Sequence, residues 1–224
     1  MSNSSEYSGP SGADGLMLPP EELAYELRSQ VGVIRGVGRL FIGIVGMAFA
    51  ALAFSFLYLR AQNSEHLWRP NDVTAPTHLG ALIVVFVVAA AGTSIYGAFK
   101  FRQGSTTLWE WIGWVTLFVL IVGFGFQIWD MSRLPFNPGL SGYTSCFIGW
   151  AVMNSALILG AAYWQETLLM RMIRIRADVS VDSGAAGSSL PTAQLFRANL
   201  TSYSVFLGFV VVIELFFWFL FYHS

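Results

Sequence analysis

Five stretches of the chain run apolar for about twenty residues with almost no interruption, and the polar residues gather between them. At a rise of 1.5 Å per residue, about twenty residues cross a hydrocarbon core of roughly 30 Å. The pattern therefore predicts five transmembrane helices, over 38–59, 79–99, 108–129, 144–170 and 202–222. The fourth is long enough to tilt or to run past the bilayer on one side. The fold class that follows is all-α: a polytopic membrane bundle of five transmembrane helices over 38–222, with the N-terminus inside and the C-terminus outside.

Outside the spans the pattern changes. Residues 1–20 are rich in Ser, Gly and Pro, with Glu6 and Asp14 but no basic residue, and read as a disordered tail rather than a secretory leader. Segment 21–37 places Leu23, Leu27, Val31 and Ile34 at helical spacing, which predicts an amphipathic helix at the membrane surface. Residues 178–189, with Ser, Gly and Ala in succession, read as a flexible part of the last connection. Within the spans, Gly43, Gly46, Ala50, Gly97, Gly160 and Ala161 permit close helix approach.

Composition agrees with a membrane solvent: 55% of residues are hydrophobic, 16% aromatic and only 11% charged. A net charge of -1 leaves no basic face for a nucleic acid. The placement of charge says more. With five spans, Arg28, Arg35, Arg39, Lys100, Arg102, Arg171, Arg174, Arg176 and Arg197 fall on one side, and Arg60, Arg69 and Arg133 on the other. Basic flanks stay cytoplasmic, which puts the N-terminus inside. Trp109, Trp111 and Trp114 at one end of the third span and Trp129 at the other suit the two interfacial belts.

The chemistry is mostly informative by what is missing. His66, His78 and His223 lie at or beyond the outer ends of spans, which leaves no haem ligand inside the bundle. His66 and His78 share a loop with Glu65 and Asp72, but the spacing matches no metal-ligand signature, and solvated loop residues are the reading. Cys146 stands alone, a small apolar filler in a helix. No phosphate loop, nucleophile elbow or zinc-protease motif occurs, so no catalytic, cofactor-binding or metal residue is assigned. The candidate intramembrane polar site is Glu214 with Asn154. Glu214 lies roughly 12 Å from the outer end of the fifth span, where an exposed charge is costly, so it is expected to face protein, neutral or hydrogen-bonded to Asn154.

Several short stretches resemble subunit III of the bacterial haem-copper oxidases, the cytochrome c oxidase family. Leu57-Tyr58-Leu59-Arg60-Ala61-Gln62 followed by Trp68-Arg69-Pro70 is similar to the end of its first helix and the next loop. Gly125-Phe126-Gln127-Ile128-Trp129-Asp130 resembles its Gln-x-x-Glu, and Ser141-Gly142-Tyr143-Thr144-Ser145-Cys146-Phe147 resembles its Ser-Gly-x-Tyr-Gly-Ser-x-Phe entry to the following helix. The segment from Tyr203 through Phe206 to Trp218 sits where the family has its last helix. The family-resembling positions are thus Arg60, Gln127, Asp130 and Tyr143. The departures are a Glu of the family's first helix, replaced by Val45 or a neighbour, paired His residues replaced by Asn154 and Leu157, and a His of the last helix replaced by Val205.

The resemblance implies a divergent five-helix member in the bacterial inner membrane. It would be an accessory, non-catalytic subunit of a respiratory terminal oxidase that supports the catalytic subunit, binds lipid and sustains proton uptake. Haem and copper would reside in partner subunits, with no cofactor in this chain. The expected partners are the catalytic and other oxidase subunits and membrane lipids, with no nucleic acid. Alternatives are the related protein that accompanies nitric oxide reductase and, from another class, a small membrane transporter, for which Glu214 alone is a thin path.

Overall fold

The computed structural model describes residues 20–63, 68–69, 75–181 and 191–222. Among them are five α-helices and no strand: α1 Pro20–Ala61, α2 Thr77–Arg102, α3 Thr106–Ser132, α4 Gly142–Val181 and α5 Pro191–Tyr222. Each contains a window long and apolar enough to cross a membrane. Segment 21–37 forms no element of its own, because α1 runs unbroken through it for 42 residues, roughly 63 Å. Likewise α4 extends to Val181, so residues 178–181 are helical, and 182–190 lie outside the described residues. The expected tail over residues 1–19 lies outside them too, as do Glu65, His66, Asp72 and His223.

Local chemistry explains where the helices stop. The α2–α3 turn has only three residues, and Gly104 takes the left-handed φ of 88° that a side chain resists. There Ser105 N–H donates to Lys100 O at 3.1 Å and Gly104 N–H to Phe101 O at 3.0 Å, the paired bonds of a Schellman end. Between α3 and α4, Asn137-Pro138-Gly139-Leu140 closes a turn with Gly139 at φ 86° and Leu140 N–H on Asn137 O. Then α4 opens on a reciprocal cap. Thr144 N–H donates to Ser141 Oγ at 3.2 Å, and Ser141 N–H donates to Thr144 Oγ1 at 2.9 Å.

Contacts arrange α2, α3, α4 and α5 as a closed ring of neighbours, with α1 laid against α4 and α5. Cross-helix pairs give the directions. Gly38 meets Ser202 and Phe56 meets Phe221, so α1 and α5 run parallel. Arg102 donates to Thr201 Oγ1 at 3.3 Å and Gly80 meets Tyr222, so α2 runs opposite to α5. Asn154 meets Gln127 while Gln165 meets Gly113, so α3 and α4 are antiparallel. Lys100, Arg102, Arg171, Arg174 and Arg197 thereby gather at one end of the bundle, with the α1 N-terminal half. Arg60, Arg69 and Arg133 lie at the other, called here the distal end, where α1, α3 and α5 finish.

The small residues divide by role. Gly46 and Gly97 sit under Phe209 and Ile112, whereas Gly43 and Gly160 have open space beside them. Trp111, Trp114 and Trp129 are exposed, but Trp109 is buried against Phe101 and Phe196, packing rather than lying in a belt. Cys146 is buried in α4.

Candidate functional site

The distal end is closed by an aromatic cap, and beneath it a row of polar side chains descends into the bundle. Phe221, in the last turn of α5, centres the cap, with the rings of Phe56, Phe147 and Trp150 at 5.0, 5.3 and 5.4 Å. Trp68 lies edge-on to Phe56 at 5.0 Å and is possible there because Gly142 has no Cβ, which would come within 2.8 Å of the indole. The last carbonyls of a helix lack intrahelical donors. Here the Phe221 carbonyl accepts from Tyr143 Oη at 3.0 Å and from Arg69 at 3.4 Å, and the Arg69 guanidinium stacks 4.4 Å from the Tyr143 ring. A cation at this position also complements the negative end of the helix dipole.

Asp130 is the first buried carboxyl below the cap. Its Oδ2 accepts from Tyr222 Oη at 3.4 Å, its Oδ1 is buried without a hydrogen-bond partner among the described residues, and exposed His78, early in α2, interacts with it electrostatically. One turn deeper on the same face of α3, Gln127 Oε1 accepts from Asn154 Nδ2 at 2.7 Å. Glu214 of α5 is 0% exposed. The Asn154 carboxamide lies beside the Glu214 carboxyl, yet among the described residues both Glu214 oxygens, Asn154 Oδ1 and Gln127 Nε2 are buried without a partner of ordinary geometry. Three helices therefore supply one polar row within an apolar interior.

Of the positions singled out from sequence, Gln127, Asp130 and Tyr143 are all buried at the distal end, and Asn154 and Glu214 lie just below. Arg60 is exposed in the last turn of α1 and does not join them. The Asn154 hydrogen bond goes to Gln127, a partner that the sequence reading did not pair with it. Tyr222, Phe221 and Gly80 were also missed. Tyr222 stood only as a span end, and Gly80 matters through contact with a residue far along the chain. Among the described residues no group of three or more His, Cys, Asp or Glu is placed to hold a metal ion.

Gly80 gives a direct check on this geometry. A Cβ there would lie within 2.6 Å of the Tyr222 hydroxyl oxygen, so Gly80→Ala must push the ring away from Asp130. The expected cost is about 1–3 kcal/mol in unfolding free energy, the usual penalty for overpacking. A Gly80→Ala protein as stable as the parent in detergent unfolding would mean that Tyr222 does not sit on α2.

A second feature faces outward. A cleft of about 920 Å³ runs between α1, α4 and α5, lined chiefly by apolar side chains such as Phe41, Phe49, Leu157 and Phe206. Toward the basic end it reaches Trp164, Asn199 and Arg171, with Trp164 Nε1 donating to Asn199 Oδ1 at 3.1 Å. Gly160, with nothing within 4 Å of its missing Cβ, contributes to its open floor.

No protein-family model matches the chain, and no curated protein matches it.

Proposed function

We propose that the chain is an accessory, non-catalytic subunit of a bacterial respiratory terminal oxidase, similar to subunit III of the haem-copper enzymes. It crosses the inner membrane several times with its N-terminus inside and its C-terminus outside. Haem and copper belong to the catalytic partner, and this chain contributes packing, lipid retention and support of proton uptake. The observation that carries the reading is the α1/α4/α5 cleft. Its length of apolar lining suits acyl chains, and Arg171 at the basic end suits a phosphate headgroup. The burial of Gln127, Asp130 and Tyr143 together supports it further, since residues that carry the family resemblance then join α3, α4 and α5 at one end.

The reading predicts that the chain purified alone shows no haem spectrum. Stoichiometric haem bound to the isolated chain would overturn it. Orientation has its own test, because the basic residues at one end should be cytoplasmic. A cysteine at Gln103, in the exposed α2–α3 turn, should be protected from an impermeant thiol reagent in intact cells. One at Asn137, in the exposed α3–α4 turn, should react. The reverse labelling would invert the topology.

A small membrane transporter is the second reading, favoured by the polar row that enters the bundle from the distal end. The two readings separate in proteoliposomes, where a transporter moves its solute without partners and an accessory subunit moves none.

A further inference from the structure

Glu214 is a buried acid within the α5 span. Its carboxyl is enclosed by protein, and a bare carboxylate in such surroundings costs far more than a neutral acid. The hydrogen-bond inventory of its neighbours points the same way. Asn154 spends an amide N–H on Gln127, its carboxamide lies beside the carboxyl, and its Oδ1 is an unfilled acceptor among the described residues. A carboxylate supplies no donor, whereas a carboxylic acid supplies one O–H. A neutral acid can therefore fill the Asn154 Oδ1 acceptor with its O–H and extend the observed bond from Asn154 Nδ2 to Gln127 Oε1 across α5, α4 and α3.

Toward the distal end lies a second titratable group with capacity to spare. Asp130 has one oxygen on Tyr222 and the other unfilled, and the Tyr222 hydroxyl is within electrostatic reach of both Asp130 and Glu214. A phenol can donate and accept at once. The groups that face this region are His78 from α2, Asp130 from α3, Tyr143 from α4, Tyr222 and Glu214 from α5, and Arg69 from the α1–α2 connection. Tyr143 and Arg69 are both hydrogen-bonded to the Phe221 carbonyl. Among the described residues, buried Asp130 and half-buried Tyr222 share a mutual hydrogen bond on the side toward the distal end.

We propose that Glu214 is a proton-binding site inside the bundle, and that it exchanges its proton with the solution at the distal end through Tyr222 and Asp130. The proton that leaves the Glu214 carboxyl is received by the Asp130 carboxylate and then by bulk water, and no electron changes hands. Asn154 and Gln127 are positioning residues: they orient the neutral acid and carry no proton themselves. The inference is independent of the oxidase reading, since it concerns a site wholly within this chain.

Infrared spectroscopy of the full chain in lipid nanodiscs tests it. At neutral pH the parent should show the carbonyl stretch of an undissociated carboxylic acid that shifts in D2O, and Glu214→Gln should abolish that band. Asp130→Asn and Tyr222→Phe should keep the band and slow its deuterium shift by about tenfold or more. If Glu214→Gln fails to fold, Asn154→Ala serves instead, because loss of the acceptor must move the band without removing it. Absence of the band in the parent, its persistence in Glu214→Gln, or an unmoved band in Asn154→Ala would overturn the site. Unchanged exchange in both Asp130→Asn and Tyr222→Phe would overturn the route. Loss of the band on adding Na+ or K+ at fixed pH would overturn the proton assignment in favour of a cation.

Discussion

Phe221→Ala is expected to lower the unfolding free energy of the bundle by about 3–5 kcal/mol, the range for deleting a fully enclosed aromatic ring. Phe221 is 0% exposed and touches rings from α1 and α4 as well as its own helix: Phe56, Tyr143, Phe147, Trp150 and Phe217, at 5.0 to 6.0 Å. Lipid removes most of the hydrophobic driving force between helices, so packing and cavity cost dominate the loss. That makes the contrast with a lipid-facing ring informative. Phe118 on α3 is 68% exposed, and Phe118→Ala should cost less than about 1 kcal/mol because lipid tails fill the space. Reversible unfolding of both variants in mixed detergent and lipid checks the pair. Equal losses would mean that the distal cap is not a packed unit.

The second large effect is expected in the polar row. Asn154→Ala strips Gln127 Oε1 of its donor and Glu214 of its neighbouring carboxamide, at a cost of about 1–3 kcal/mol. Gln127→Ala should cost a similar amount. The double variant should lose less than the sum, with a coupling of about 1 kcal/mol, within the span seen for interhelical hydrogen bonds in membranes. Additivity to within about 0.3 kcal/mol would show that the 2.7 Å contact contributes nothing. The same cycle on Glu214→Gln and Asn154→Ala isolates the deeper contact. Glutamine keeps a donor and an acceptor, so a small loss there with a large one for Glu214→Ala is the expected pattern.

The helices were legible in the sequence because apolar runs of membrane-crossing length leave little choice of structure, and each predicted span falls inside one observed helix. The ends were not, since hydropathy stops where lipid stops while a helix continues until a cap ends it. α1 and α4 exceed their apolar windows for that reason, at 42 and 40 residues. The cap at Ser141 and Thr144 was not legible, because a threonine in place of the usual Glu or Gln hides the reciprocal pattern. The polar row was half legible. Glu214 is conspicuous as an acid within an apolar run, and Gln127 and Asp130 share a face of α3 by their spacing of three. That Asn154 meets Gln127, and that Tyr222 meets Asp130 across a notch at Gly80, depends on helix rotation and axial register, which no single helix encodes.

Capture of the tagged chain from native membranes in mild detergent tests the accessory-subunit reading most directly, with haem absorbance and the mass of every co-purifying chain as readouts. The account predicts a complex in which this chain is stoichiometric with a haem-bearing catalytic subunit. The haem should follow that partner when the complex is split. Recovery of the chain alone, or in a stoichiometric complex without haem, would contradict it.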